Sequence, residues 1–90
     1  MGFDFKKLEK LNKAVANRRR LAILAYLKRE GEAPVWDIAE AIKLSIKATS
    51  KHLGVLRAAD LVSWEQRSLQ MFYWLAPAPH PVIEAVFKSL

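Results

Sequence analysis

The chain has 90 residues, 52% of them hydrophobic and 27% charged, a length that predicts one domain and a composition that excludes a solvated, disordered tail. With no cysteine, disulfide scaffolds, thiolate metal sites and cysteine nucleophiles are excluded, and a reducing cytoplasm is the expected setting. Fifteen Lys and Arg against nine Asp and Glu leave a net charge of +6, which points to an anionic partner.

The longest run without Asp, Glu, Lys or Arg, 16 residues from Ser68 to Ile83, is shorter than the ~18 a membrane span requires, and the segment from Met1 to Lys7 lacks the apolar stretch of a signal peptide. A soluble, unsecreted protein is therefore expected. Phe5, Leu8, Leu11 and Val15 recur at helical spacing among Lys6, Lys7, Glu9, Lys10 and Lys13, which predicts an amphipathic first helix. Asn17 suits the cap of a second helix over residues 18–29, apolar around most of its circumference and hence central. Gly31 ends it. Pro34 is expected in the first turn of a third helix running to about Ile42, with Ile38, Ala39 and Ile42 inward.

Only Lys43 and Leu44 separate that helix from Ser45, the predicted cap of a fourth helix that continues through Thr49, Leu53 and Leu56 to about Ala59. Two helices joined by so short a turn form a helix-turn-helix. Residues 61–65 and 71–75 are rich in β-branched or aromatic side chains, and the mostly polar residues 66–70 between them predict a hairpin with a turn of undetermined type. Trp64 and Trp74 fall on its two strands, where core or cross-strand packing is expected of them. The proline-rich stretch 76–81 breaks the strand, and Val82, Ile83, Val86, Phe87 and Leu90 line one side of a terminal helix. The expected fold is mainly α with a β-hairpin, a winged helix-turn-helix of order α-α-α-α-β-β-α in a single domain over residues 1–90.

The basic charge is concentrated. Between Glu40 and Asp60 there is no acidic residue, while Lys43, Lys47, Lys51 and Arg57 lie there. At about 100° per residue, Lys47, Lys51 and Gly54 fall roughly opposite a buried face centred on Thr49, Leu53 and Leu56, with Ser50 at the edge and small Ala58 beside them. A low, basic helix face of this kind fits a DNA major groove, and the hairpin tip would serve as the wing. Lys47, Ser50 and Lys51 are then expected at base edges or adjacent phosphates, and Ile46 and Ala48 at thymine methyls. Arg67 would reach from the wing, and Lys43, Ser45, His52, Arg57 and Gln70 complete the expected contact set.

Three stretches resemble one family. Residues 14–24, read as Ala-Val-Ala-Asn-Arg-Arg-Arg-Leu-Ala-Ile-Leu, are similar to the start of the second helix of ArsR/SmtB-type winged-helix transcriptional repressors, with Arg18 where that family has proline. Residues 44–62, with Leu44-Ser45 followed by Ser50-Lys51-His52-Leu53-Gly54-Val55-Leu56, resemble its recognition helix, and Asp60 replaces the glycine that there precedes Leu-Val. The resemblance implies a homodimer joined through the first and last helices, which would use Phe5, Leu8, Leu11, Val82, Ile83, Val86, Phe87 and Leu90, each subunit offering one recognition helix to a palindromic operator. The third stretch departs from the metal-sensing motif: Ala33-Pro34-Val35-Trp36-Asp37 holds neither of its thiolates. His80 and Glu84 stand four apart rather than three, so neither a metal nor any other cofactor is expected, and the effector is left unknown. Trp36 is expected to be a packing residue. A winged-helix protein-interaction module docking through Trp36 or the terminal helices stays open as an alternative. An enzyme is not expected, because Asp37, Glu40, Ser50 and His52 are scattered without a nucleophile, base and orienter.

Overall fold

The computed structural model describes residues 4–90; Met1 to Phe3, the start of the segment read above for targeting, lie outside the described residues. Helix α1 (Phe5–Val15) begins where the Asp4 carboxylate accepts a bond from the Lys7 N–H at 3.0 Å. Helix α2 (Arg18–Glu30) begins at Asn17, whose side-chain oxygen accepts from the Arg19 and Arg20 N–H groups at 2.9 and 3.1 Å, and it ends at Gly31, where φ is 87°. That angle is one that glycine adopts without steric cost.

The chain after Gly31 differs from the sequence reading. Pro34 is not in the first turn of the third helix but just outside it, in a two-residue strand β1 (Ala33–Pro34) that precedes α3 (Val35–Ile42). Proline has no N–H to offer a ladder, so it is tolerated on an edge strand, and β1 is an edge strand here. Helix α4 (Ile46–Ala58) starts at Ser45, whose hydroxyl accepts from the Ala48 N–H at 3.1 Å. Strands β2 (Val62–Arg67) and β3 (Gln70–Leu75) form the hairpin, and the antiparallel sheet has the order β1-β3-β2. The hairpin is longer than expected, with only Ser68 and Leu69 between the strands. Trp64 stands opposite Tyr73 and Trp74 opposite Ser63, so the two tryptophans occupy different faces and are not partners. Helix α5 (Pro81–Ser89) starts at His80, whose Nδ1 accepts from the Val82 N–H at 3.0 Å.

Lys43, Asp60 and Ser68 have φ of 57°, 60° and 58° without being glycines. Each sits at a joint. Asp60 closes α4: its N–H bonds the Arg57 carbonyl at 2.9 Å and the Leu61 N–H bonds the Leu56 carbonyl at 3.0 Å, so aspartate adopts the left-handed conformation that glycine usually supplies. Lys43 does the same after α3, where the Leu44 N–H reaches the Ala39 carbonyl at 3.0 Å.

One apolar cluster joins all five helices to the hairpin: Leu11, Ala14 and Val15 from α1, Ile23, Leu24 and Leu27 from α2, Ile38 from α3, Leu53 and Leu56 from α4, Val62 and Tyr73 from the sheet, and Ile83 from α5. Leu11 and Ile83, expected at a subunit contact, are 2% and 0% exposed within the chain, which leaves them no surface to give a partner. Trp36, expected to pack, is 62% exposed because α3 turns Ile38 and Ala39 to the core and Trp36 away. No helix among the described residues is long and apolar enough to cross a membrane.

Within this core Thr49 is fully buried, and its hydroxyl has no hydrogen-bond partner among the described residues. Thr49→Val keeps the shape and removes the unsatisfied group, so it is expected to raise stability by about 1 kcal/mol. The check is the urea midpoint at unchanged m value; a lower midpoint would mean that the hydroxyl has a partner.

Candidate nucleic-acid interface

Helix α4 buries Thr49, Leu53 and Leu56 and exposes Lys47, Ser50, Lys51, Gly54 and Ala58, the division that its 3.6-residue period dictates. Lys47 and Lys51 make no ion pair among the described residues, and the helix contains no carboxylate that could neutralise them. Ile46 is 38% exposed at the N-terminal turn, Ala48 is half-buried on another side of the same turn, and Ser45 is held as the cap. Lys43 stands exposed in the turn before them. Lys43, Ser45, Ile46, Lys47 and Ala48 therefore gather at the N-terminal end of α4, while Lys47, Lys51, Gly54 and Ala58 share its outward side.

Gly54 lies on the same outward strip. A methyl group at its α-carbon would meet nothing within 4 Å, so nothing inside the chain requires glycine there. Inside a helix glycine is roughly 1 kcal/mol less favourable than alanine. The strip is thus kept low at a cost in stability.

The two arginines expected at DNA are already engaged. The Arg57 guanidinium lies 3.5 Å from the centroid of the Trp64 ring and ties the C-terminal end of α4 to the hairpin. Arg67 donates to both carboxylate oxygens of Glu32, at 2.7 and 3.1 Å, and to Glu65 at 2.6 Å, while stacking 4.6 Å from the Phe72 ring. The bond from Arg67 holds the Glu32 carboxyl below its ordinary value, and the two carboxylates push the Arg67 guanidinium still higher. Gln70 is exposed at the start of β3, and the Gln66 amide donates to the Ser68 carbonyl across the tip at 3.3 Å.

His52 lies at the other edge of α4, half-buried, with its Nδ1 3.3 Å from Nη1 of Arg20. Burial and the neighbouring Arg20 and Arg19 keep this imidazole below its ordinary value, so it is neutral near pH 7 and accepts from Arg20. Arg20 itself was not among the residues singled out from the sequence. It sits in the run of three arginines inside the stretch that carries the family resemblance, where the sequence assigns it no contact, and its partners are six, seven and thirty-two residues away. Among the described residues no cluster of three or more His, Cys, Asp or Glu could hold a metal ion. His80 is occupied as the cap of α5.

The model of the bacterial regulatory protein arsR family matches residues 17–63, just over half of the chain and the whole of the helix-turn-helix. The transcriptional activator HlyU of Vibrio cholerae is 39% identical over 66 residues, 73% of this chain and 60% of that protein. The solved structure of V. cholerae HlyU superposes with a TM-score of 0.81 at 32% identity, over 99% of this chain and 92% of the other. The arsenical resistance operon repressor of Bacillus subtilis is 31% identical over 76% of this chain and 65% of its own length. A structure described as the homodimeric winged helix-turn-helix DNA-binding domain of Mb0332 from Mycobacterium bovis, a possible ArsR-family regulator, has a TM-score of 0.78 at 29% identity and covers 94% of this chain and 72% of that one. This chain spans about 60% of the length of the curated relatives it matches. Family, helix order and wing agree: the chain belongs to the ArsR family of bacterial regulatory proteins and has its winged helix-turn-helix fold, a family of transcription regulators and not of enzymes.

Proposed function

We propose that this protein is a sequence-specific double-stranded DNA-binding repressor that works as a homodimer on a palindromic operator in the bacterial cytoplasm. The observation that carries the proposal is the outward strip of α4, where Lys47 and Lys51 flank a low surface of Gly54 and Ala58 without any carboxylate on the helix. Lys47, Ser50 and Lys51 meet base edges or the adjacent phosphates, Ile46 and Ala48 meet thymine methyls, and Lys43, Ser45 and His52 sit against the backbone. From the wing, Gln70 touches phosphate, and Arg67 exchanges its carboxylates for a phosphate, an anion for an anion. Arg57 acts from its place on Trp64.

Repression is supported by economy of surface. Occupying an operator blocks transcription with no further contact, whereas activation requires another interface, and relatives with both signs exist. The homodimer is supported by α1 and α5, where Leu8, Val82, Val86, Phe87 and Leu90 remain partly exposed and Phe5 is 73% exposed. The same apolar surface is what an interaction module would use, so DNA binding and self-association are tested separately.

Lys47→Ala with Lys51→Ala is expected to leave the fold and the dimer intact and to weaken duplex binding more than tenfold in a fluorescence anisotropy titration. Log K should fall by about 0.9 per phosphate neutralised for each unit of log salt, and this variant should show the shallower slope. Equal affinity of the variant and the parent would leave the interaction module as the better reading. Gly54→Leu is expected to stabilise the chain against urea by about 1 kcal/mol, because helix propensity rises and space is open, while duplex affinity falls. Val86→Asp with Phe87→Asp is expected to give a folded monomer in analytical ultracentrifugation that has lost cooperative binding to the paired half-sites.

A further inference from the structure

Arg20 links the recognition helix to α1, and all three of its guanidinium nitrogens are used. Nε donates to the Ala14 carbonyl at 2.6 Å, Nη2 to the Lys13 carbonyl at 2.9 Å, and Nη1 lies 3.3 Å from His52 Nδ1. The first two acceptors belong to the last turn of α1, where the negative end of the helix dipole favours a cation; the Lys13 carbonyl also accepts from the Ala16 N–H at 3.3 Å. The third is on α4. One planar cation from α2 therefore fastens the end of α1 to the recognition helix.

The bond to His52 has a chemical consequence. A guanidinium can only donate, so Nδ1 must present its lone pair, and the single ring proton is on Nε2. Nε2 lies on the far side of the ring from Nδ1 and has no partner among the described residues. It shares its side of α4 with Ala48, Lys51 and Val55, which line one shallow groove with His52 and Arg20.

We propose that Arg20 is a positioning residue for DNA binding: through Nδ1 it fixes His52 as a neutral imidazole whose Nε2–H is presented beside Lys51 as a donor to the DNA backbone, and it holds that donor in register with α1. The proposal rests on the DNA-binding reading of α4. The groups around His52 favour the neutral ring. Arg20 and Arg19 face it from α2 and Lys51 stands one residue away on α4, while Glu9, Lys10 and Lys13 of α1 border the adjoining groove. Glu9 is the one carboxylate among them, and it is paired with Lys13 at 3.8 Å. Protonation at Nδ1 would turn the acceptor into a donor facing a guanidinium. Because the folded-state value lies below the ordinary 6.5, the contribution to stability is fully present above that pH and is lost as the pH falls through the folded-state value.

Two histidine variants separate the two ring nitrogens. His52→Asn keeps an acceptor near the Nδ1 position and lacks the outward donor; His52→Gln places an amide near Nε2 and lacks the acceptor for Arg20. Long-range ¹H–¹⁵N correlation spectra of the free protein near pH 7.5 should show His52 as the Nε2–H tautomer, and in Arg20→Lys the preference should weaken. His52→Asn should retain parental stability at that pH, lose the histidine-dependent part of the decline in thermal midpoint between pH 8 and 5.5, and bind the operator duplex about tenfold less tightly, the worth of one hydrogen bond to a charged group. Arg20→Lys should reduce duplex affinity several-fold although the charge is kept. An Nδ1–H tautomer or an imidazolium in the parent at pH 7.5 would overturn the proposal. So would parental duplex affinity in His52→Asn while the Lys47 and Lys51 double variant is impaired, a result that leaves the DNA-binding reading standing. Parental affinity in both variants would remove that reading and this inference together.

Discussion

The burial of Thr49, Leu53 and Leu56 orients everything that α4 can offer. A helix repeats every 3.6 residues, so committing these three to the core leaves Lys47, Lys51, Gly54 and Ala58 on the opposite side with no freedom to rotate away. Leu53 and Leu56 are fully buried, each contributing roughly 2 kcal/mol of apolar burial, and they meet side chains from the other helices and the sheet. Turning α4 by one residue would expose both leucines and bury a lysine. The core thus acts as the alignment device for the surface.

The cations divide by chemistry as well as by place. The arginines are largely spent inside the molecule: Arg19 on the Ile42 carbonyl, Arg20 on α1 and His52, Arg57 on Trp64, and Arg67 on Glu32 and Glu65. A planar fork with fixed donors suits such defined geometry. Lys28 is an exception of the other kind, its ammonium donating to the Phe87 and Leu90 carbonyls at the end of α5. On the outward face of α4 only lysines remain, point charges on flexible stems that suit a phosphate without demanding one arrangement. The wing is less cationic than its sequence suggests, since the charge of Arg67 is cancelled where it stands.

Much of this is legible in the amino-acid sequence. Periodicity located the helices because each buries a strip, and Asn17, Gly31 and Ser45 marked ends because their local bonds need no distant partner. The outward face of α4 followed from the same arithmetic. What escaped depends on the third dimension. A two-residue strand such as β1 has no period to detect, and Pro34 argued for a helix start that lies one residue later. The wing tip carries no Gly, Asn or Asp to signal its type, and Ser68 takes the left-handed conformation there. Leu11 and Ile83 have the same spacing as their exposed neighbours, and only packing distinguishes them. Arg20 was invisible for the plainest reason: its partners lie on two other helices.

The left-handed residues at Lys43, Asp60 and Ser68 sit at the turn before α4, the turn after it and the tip of the wing. Glycine at these hinges would bend with less resistance in the native state and would have more states to lose on folding. Side chains there make the reading unit stiff between its joints. On the DNA-binding function proposed above, such a unit would meet its target already shaped, giving up little conformational entropy on docking, so that discrimination would fall on the target instead. Duplexes that can bend or narrow to match a rigid helix and wing would be selected by their deformability, at base pairs that no side chain touches.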